Sequence, residues 1–249
     1  MTFEHRYLIP DWPAPACVKA CVTRREGGVS QGNFSSFNLG IHSGDASEHV
    51  LANRHLLRED YGWDCEPQWL RQVHGTQVVK ASDSTEELEG DAVWTDSSGL
   101  PCAILTADCL PVLFCDRSGS TVAAAHAGWK GLQAGVLENT LKAMPCPASE
   151  VMVWLGPAIS QKHFEVGPEV RSAFIDIDPQ AAAAFIPGTG DRWYGDLYQL
   201  ARQRLGAAGV SAIYGGGFCT FEQHQAFFSY RRDGKKSGRL ASVIWLEKD

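Results

Sequence analysis

Two neighbouring stretches, residues 102–116 and 121–127, are almost wholly apolar, and the first is interrupted only near 107–110. A strand with one wet face alternates apolar and polar side chains, whereas a strand without alternation is covered on both faces. This chain must therefore place further layers on either side of these strands.

The rest of the sequence supplies candidates for those layers. Residues 16–23, 69–73 and 76–81 read as additional strands. Leu132, Val136, Leu137, Thr140, Leu141 and Met144 recur at helical spacing, so 129–143 is expected to be one amphipathic helix. Asp196 is placed to cap a second helix, with Leu197, Leu200, Ala201, Leu205 and Ala208 on one face. A third spans 47–60, and segments 227–231 and 239–246 read as a hairpin around Asp233-Gly234. The expected fold is α/β in the broad sense (mixed α+β), with layered mixed sheets covered by helices in a single domain over 1–249. An apolar fraction of 44% and eight tryptophans are ample to fill such a core. The order of strands in the sheets is not contained in the pattern.

A formal net charge of −7 argues against a broad nucleic-acid-binding face, although a few local cations could still hold a small anion. No run approaches the roughly 20 apolar residues that cross a bilayer, and no secretory leader is visible. A cytoplasmic location is expected. The eight cysteines are scattered and form no C-x-x-C pair, so reduced thiols are expected rather than a disulfide framework or a treble-cysteine zinc module.

Chemistry concentrates where strands stop. His74 precedes a glycine, Cys109 sits in the interruption Thr106-Ala107-Asp108-Cys109-Leu110-Pro111, and His126 ends an alanine-rich strand before Gly128-Trp129-Lys130-Gly131. Side chains on rigid strand ends are placed accurately, which suits a site. Taken alone, a histidine beside apolar residues is more often a hydrogen-bonded core residue than a ligand, and a lone cysteine such as Cys109 is more often inert than reactive. The three also lie too far apart to make a local metal signature.

The motifs taken together carry more. Thr23-Arg24 with Gly27-Gly28-Val29-Ser30, Asn38-Leu39-Gly40, Gln72-Val73-His74-Gly75, Thr106 to Val112 and His126 to Gly131 occur in order. Trp154-Leu155-Gly156-Pro157-Ala158-Ile159, Phe164-Glu165-Val166-Gly167 and Ser229-Tyr230-Arg231-Arg232-Asp233 follow them. Over essentially its whole length the chain resembles the laccase-domain family, the YfiH-like "multicopper polyphenol oxidoreductase" proteins. The resemblance implies zinc held by His74, Cys109 and His126 with an open coordination position. It also implies phosphorolysis of adenosine, inosine, guanosine and methylthioadenosine, and deamination of adenosine. Two imidazoles and a thiolate are a sensible zinc shell, and three protein ligands leave room for water or substrate.

A true multicopper laccase draws many histidines from His-x-His pairs. This chain has eight histidines and no such pair, so a multicopper centre is not expected, although copper could occupy the same triad and oxidise phenols weakly. Around the metal, Asp108 is the candidate for orienting a ligand or moving a proton. Lys130, at a helix start, is a candidate phosphate contact. Arg24 and Arg231 are candidate anion clamps, and Asn38 and Gln72 are candidates for purine or ribose edges. The partners so implied are purine nucleosides and phosphate, with a homo-oligomer left open. Two other readings remain at this point. One is a Cys109–His126 hydrolase acting on cell-wall muramoyl peptide precursors, a role with which related family members are linked. The other is a non-catalytic, metal-stabilised binding protein, with Cys219 as a distant fourth ligand.

Overall fold

The computed structural model describes residues 3–83 and 86–248. Two sheets stack at its centre. One has six strands in the order Ala212–Gly215, Val151–Leu155, Leu110–Asp116, Val122–Ala127, Ala92–Thr95, Val78–Lys80. Its outermost pairs are parallel and its inner pairs antiparallel. The other has four antiparallel strands in the order Tyr7–Leu8, Val18–Thr23, Leu240–Leu246, Cys102–Thr106.

Strand alternation sorts the core into layers. Leu110, Val112 and Phe114 join Ala123, Ala125 and Val153 against helix residues Leu132, Leu137, Leu141, Leu200 and Leu205. Leu113 and Cys115, one position out of phase, lie with Val122 and Ala124 against Val22, Ile104 and Ile244 of the four-stranded sheet. That sheet turns its outer face, through Cys21, Ala103 and Val243, to Leu57 of the helix Ser47–Tyr61 and to Phe37, Trp63 and Trp69. The result is helices, sheet, sheet, helix. It explains why the apolar strands show no alternation: each fully buried Val, Leu or Phe contributes about 1.5–3 kcal/mol, and both faces are dry.

The interruption at 107–109 acquires a meaning here. Cys102–Thr106 pairs within the four-stranded sheet and Leu110–Asp116 within the six-stranded one, so the chain crosses between sheets at this point. Smaller additions flank the sandwich: a three-stranded sheet of Glu165–Val166, Trp193–Gly195 and Phe185–Pro187, and a parallel pair Leu70–Arg71 with Leu88–Glu89.

The structure bears out the mixed α/β expectation, and the Asp196 cap is present, its side chain accepting from the Gln199 N–H. Two expectations are corrected. The single helix over 129–143 is two, Trp129–Ala134 and Val136–Ala143, parted at Gly135 with φ of 101°. The apolar spacing continues through the break, which is why periodicity alone missed it. The hairpin around Asp233-Gly234 does not form. Tyr230–Asp233 is a helical turn capped by the Ser229 side chain, and Leu240–Leu246 pairs with Val18–Thr23 and Cys102–Thr106 instead. Arg232 fixes that turn by donating to the carbonyls of Thr220, Phe221 and Phe227. Among the described residues, no helix is long and apolar enough to cross a membrane.

Candidate metal centre and its cleft

His126 occupies an even position in Val122–Ala127, the phase that faces the other sheet, so alternation aims its ring at the crossing segment. The crossing brings Cys109, and the loop after Leu70–Arg71 brings His74. The ligand atoms of these three side chains all lie within 4.8 Å of one another. His74 is exposed, Cys109 half-buried and His126 buried, so the cluster opens on one side.

Asp91, just before the strand Ala92–Thr95, holds the arrangement together. Its buried carboxylate accepts from the backbone N–H groups of Val73 (3.1 Å), His74 (2.9 Å) and Gly75 (2.7 Å). It also lies 2.8 Å from His126 Nδ1. That contact fixes the tautomer and leaves Nε2 for a metal. Nothing in the sequence around Asp91 distinguished it from an ordinary strand-edge aspartate.

Backbone strain collects at the same place. Among the described residues, the non-glycine positions with positive φ are His74 (61°) and Asp108 (86°). Such conformations cost about 1–3 kcal/mol each and persist only where the surroundings hold them. Asp91 grips the first. The second is held through its carboxylate, which accepts from Thr220 Oγ1 at 2.6 Å and from the Arg231 N–H at 2.6 Å. Both oxygens of Asp108 are thus committed to tying the 220 and 231 segments to the crossing.

The donor set suits a metal ion. Burial opposes the Cys109 thiolate, but His126 and then His74 outweigh it and bring the thiol down to about 6. Burial also opposes the His126 imidazolium, and the Cys109 sulfur and Asp91 overcome it, moving that group upward. A thiolate beside two histidines provides a zinc shell once a metal displaces the proton that this pairing holds on His126. Space is reserved as well: a Cβ at Gly128 would stand 2.9 Å from His74, 3.2 Å from Cys109 Sγ and 3.5 Å from His126. The neighbouring Gly131 allows the helix to touch the His74 loop, since its Cβ would meet the Gly75 carbonyl at 2.7 Å.

The triad lies in a cleft of about 540 Å³, within the range of small-molecule sites. Its walls include Gln72, Asp108, Phe164, Tyr230, Arg231 and Arg239. A slightly larger cleft, about 630 Å³, runs past Trp12, Trp63 and Trp245 but contains none of the triad. Of the residues expected to bind substrate, Gln72 and Arg231 reach the triad's cleft. The Gln72 amide is occupied with the backbone of Leu105, donating at 2.8 Å and accepting at 2.7 Å. Arg231 extends over Phe164 and donates through Nη1 to the carbonyls of His163 and Glu165.

Three others are not cleft-lining residues. Asn38 is buried, donating to Ser43 and Asp45 and accepting from the N–H groups of Gly40 and Arg239. Lys130 is exposed with its ammonium over the Trp129 ring, and Arg24 sits beside Arg6 at the end of Val18–Thr23. Arg239 was missed because, in sequence, it reads as the start of a strand. Cys219, the possible fourth ligand, groups instead with His163 and Glu222.

Known proteins agree with this architecture. Over 97% of its length the chain is 54% identical to a protein named purine nucleoside phosphorylase in Pseudomonas aeruginosa, covering 98% of that protein. It is 50% identical, over 97% of its own length and 99% of the relative, to purine nucleoside phosphorylase YfiH of Escherichia coli. A crystal structure from Neisseria meningitidis superposes with a TM-score of 0.94 at 50% identity, across 98% of this chain and 100% of that one. YlmD of Geobacillus stearothermophilus gives 0.90 at 30% identity, across 100% and 98%. Residues 19–247 match the family described as multi-copper polyphenol oxidoreductase laccase, and the chain belongs to that family.

Proposed function

We propose that the chain is a zinc-dependent purine nucleoside phosphorylase that also deaminates adenosine, working in the cytoplasm on purine nucleosides and phosphate. The observation that carries this reading is the cleft itself, where a two-histidine, one-thiolate cluster lies beside the guanidinium groups of Arg231 and Arg239 and the rings of Phe164 and Tyr230. The names of the relatives point the same way.

His74, Cys109 and His126 would hold the metal, which would supply Lewis acidity within the cleft. Copper competes for the same donors and would account for a weak phenol-oxidising side activity. Tyr230, exposed at the cleft wall, offers the ring on which a purine stacks, while buried Phe164 supports Arg231. Arg231 and Arg239 supply the positive charge that brings phosphate to C1′ of the ribose as the bond to the purine breaks. Asp108 acts by position, setting Arg231 and Cys109, because both its oxygens already accept hydrogen bonds. Asn38 acts through the Arg239 backbone.

The test is product analysis with inosine and with adenosine, each with and without phosphate. Hypoxanthine released only when phosphate is present, and inosine formed from adenosine without it, are the expected results. Arg231→Ala should raise the KM for phosphate and spare deamination. Phosphorolysis that survives in the chelator-stripped variant His74→Ala/Cys109→Ser/His126→Ala would overturn the reading.

One observation favours a second reading. With no metal, the lowered Cys109 thiol beside a raised His126 is also the pairing of a cysteine hydrolase. In that case the purified enzyme would contain no stoichiometric metal and would be inactivated at Cys109 by an alkylating reagent without prior chelation.

A further inference from the structure

A second group of unlike donors stands apart from the triad. His163 ends the turn Gln161–His163, and Cys219 and Glu222 belong to a separate turn of the chain. Their ligand atoms all lie within 4.8 Å of one another. His163 Nε2 is 2.9 Å from Glu222 Oε1, and the imidazole is stacked on Phe221 with centroids 4.4 Å apart and planes 16° apart. The ring therefore has little freedom to turn away.

The sulfur of Cys219 is set up as an acceptor. It receives the Ser160 hydroxyl at 3.1 Å and the Glu222 N–H at 3.5 Å, although the residue is only 6% exposed. Inward-facing donors of this kind are what a ligating thiolate uses to fix its orientation. Glu222 is reachable from solvent, and the cation now against it is Lys162, 2.7 Å away on an exposed side chain. An exposed lysine pair of that type contributes little, so a metal displaces it at small cost.

We propose that His163, Cys219 and Glu222 form a second zinc site, independent of the triad, with a solvent molecule completing the shell. One nitrogen, one sulfur and one carboxylate oxygen suit zinc and disfavour magnesium or calcium, which need all-oxygen shells. The ion clamps two segments that build the cleft. The His163 carbonyl receives Arg231 Nη1, and Thr220, between Cys219 and Glu222, donates to Asp108. Its part is to stiffen the wall carrying Phe164 and Arg231.

The test uses the full chain, stripped with chelator and titrated with cobalt(II) as a spectroscopic substitute. In Cys109→Ser the triad has lost its thiolate, yet a thiolate-to-cobalt charge-transfer band should remain, and Cys109→Ser/Cys219→Ser should lack it. Absence of the band in natively folded Cys109→Ser overturns the proposal. A second measurement covers the case in which replacing buried Cys219 disturbs folding. In the unmutated protein, zinc beyond the first equivalent should slow alkylation of Cys219 several-fold, followed by peptide mass spectrometry. His163→Gln should abolish that protection while zinc at the triad stays bound. An alkylation rate indifferent to zinc overturns the second site whatever becomes of the first.

Discussion

The carboxylate of Asp91 offers the sharpest test of how the metal centre is built. The substitution Asp91→Asn keeps the shape of the side chain but leaves it only one acceptor oxygen. With that oxygen at the Oδ1 position, the His74 N–H and His126 keep their partner, and the new NH2 confronts the N–H groups of Val73 and Gly75. With the amide flipped, His126 loses its partner. In either case two donors turned toward the buried side chain are orphaned, at about 1–3 kcal/mol each. The lost charge also removes support from the His126 ring, so Asp91→Asn should destabilise the metal-stripped protein by about 3–5 kcal/mol in urea unfolding. Zinc affinity, measured by competition with a chromophoric chelator, should fall by about 10–100-fold. The acid limb carries a further signature. Burial raises the Asp91 carboxyl, but hydrogen bonds from His126, Gly75 and Val73 outweigh it and hold the group below its ordinary range. Its stabilising contribution is complete above the unfolded value of about 3.9 and disappears as pH falls through the lower folded value. The variant's stability should therefore be flatter over that acid window. An Asp91→Asn protein with unchanged stability, zinc affinity and acid dependence would refute the assignment of Asp91 as the element that sets the site.

Three further outcomes follow from the same geometry. In metal-stripped protein, alkylation of Cys109 should rise through a midpoint at about 6, His126→Ala should move that midpoint upward, and added zinc should suppress the reaction. Gly128→Ala should weaken zinc binding at least about 10-fold with little change in melting temperature, because its φ of −65° suits alanine and only the crowding of the three ligands opposes it. Gly135→Ala should do the reverse. Its Cβ would meet ordinary contacts, but φ of 101° costs about 1–2 kcal/mol of stability, readable in urea, with zinc affinity intact.

The location of the triad was legible in the sequence only through motif order, and the physical reason lies in the chain path. His74, Cys109 and His126 come from a loop, an inter-sheet crossing and a strand end, so no local spacing could announce them. The residues that make the triad competent were less visible still. Asp91 reads as one aspartate among many, and Gly128 reads as a helix-start glycine, until folding places each against the ligands. Lys130 shows the converse: a plausible phosphate contact by its neighbours in sequence, it rests its ammonium over Trp129 and does not line the cleft.

What the amino-acid order alone determined was local in origin. Unalternating apolar runs required strands covered on both faces, helical spacing placed the helices at 47–60 and after Asp196, and the histidine count argued against a multicopper cluster. These conclusions depend on side-chain period and type, which the chain carries residue by residue. Tertiary structure decided the rest: which strands pair, that the break at 107–109 is a crossing between sheets, and that Cys219 faces His163 and Glu222. Those facts depend on contacts between segments far apart in sequence, whose partners are selected only when all the layers close together.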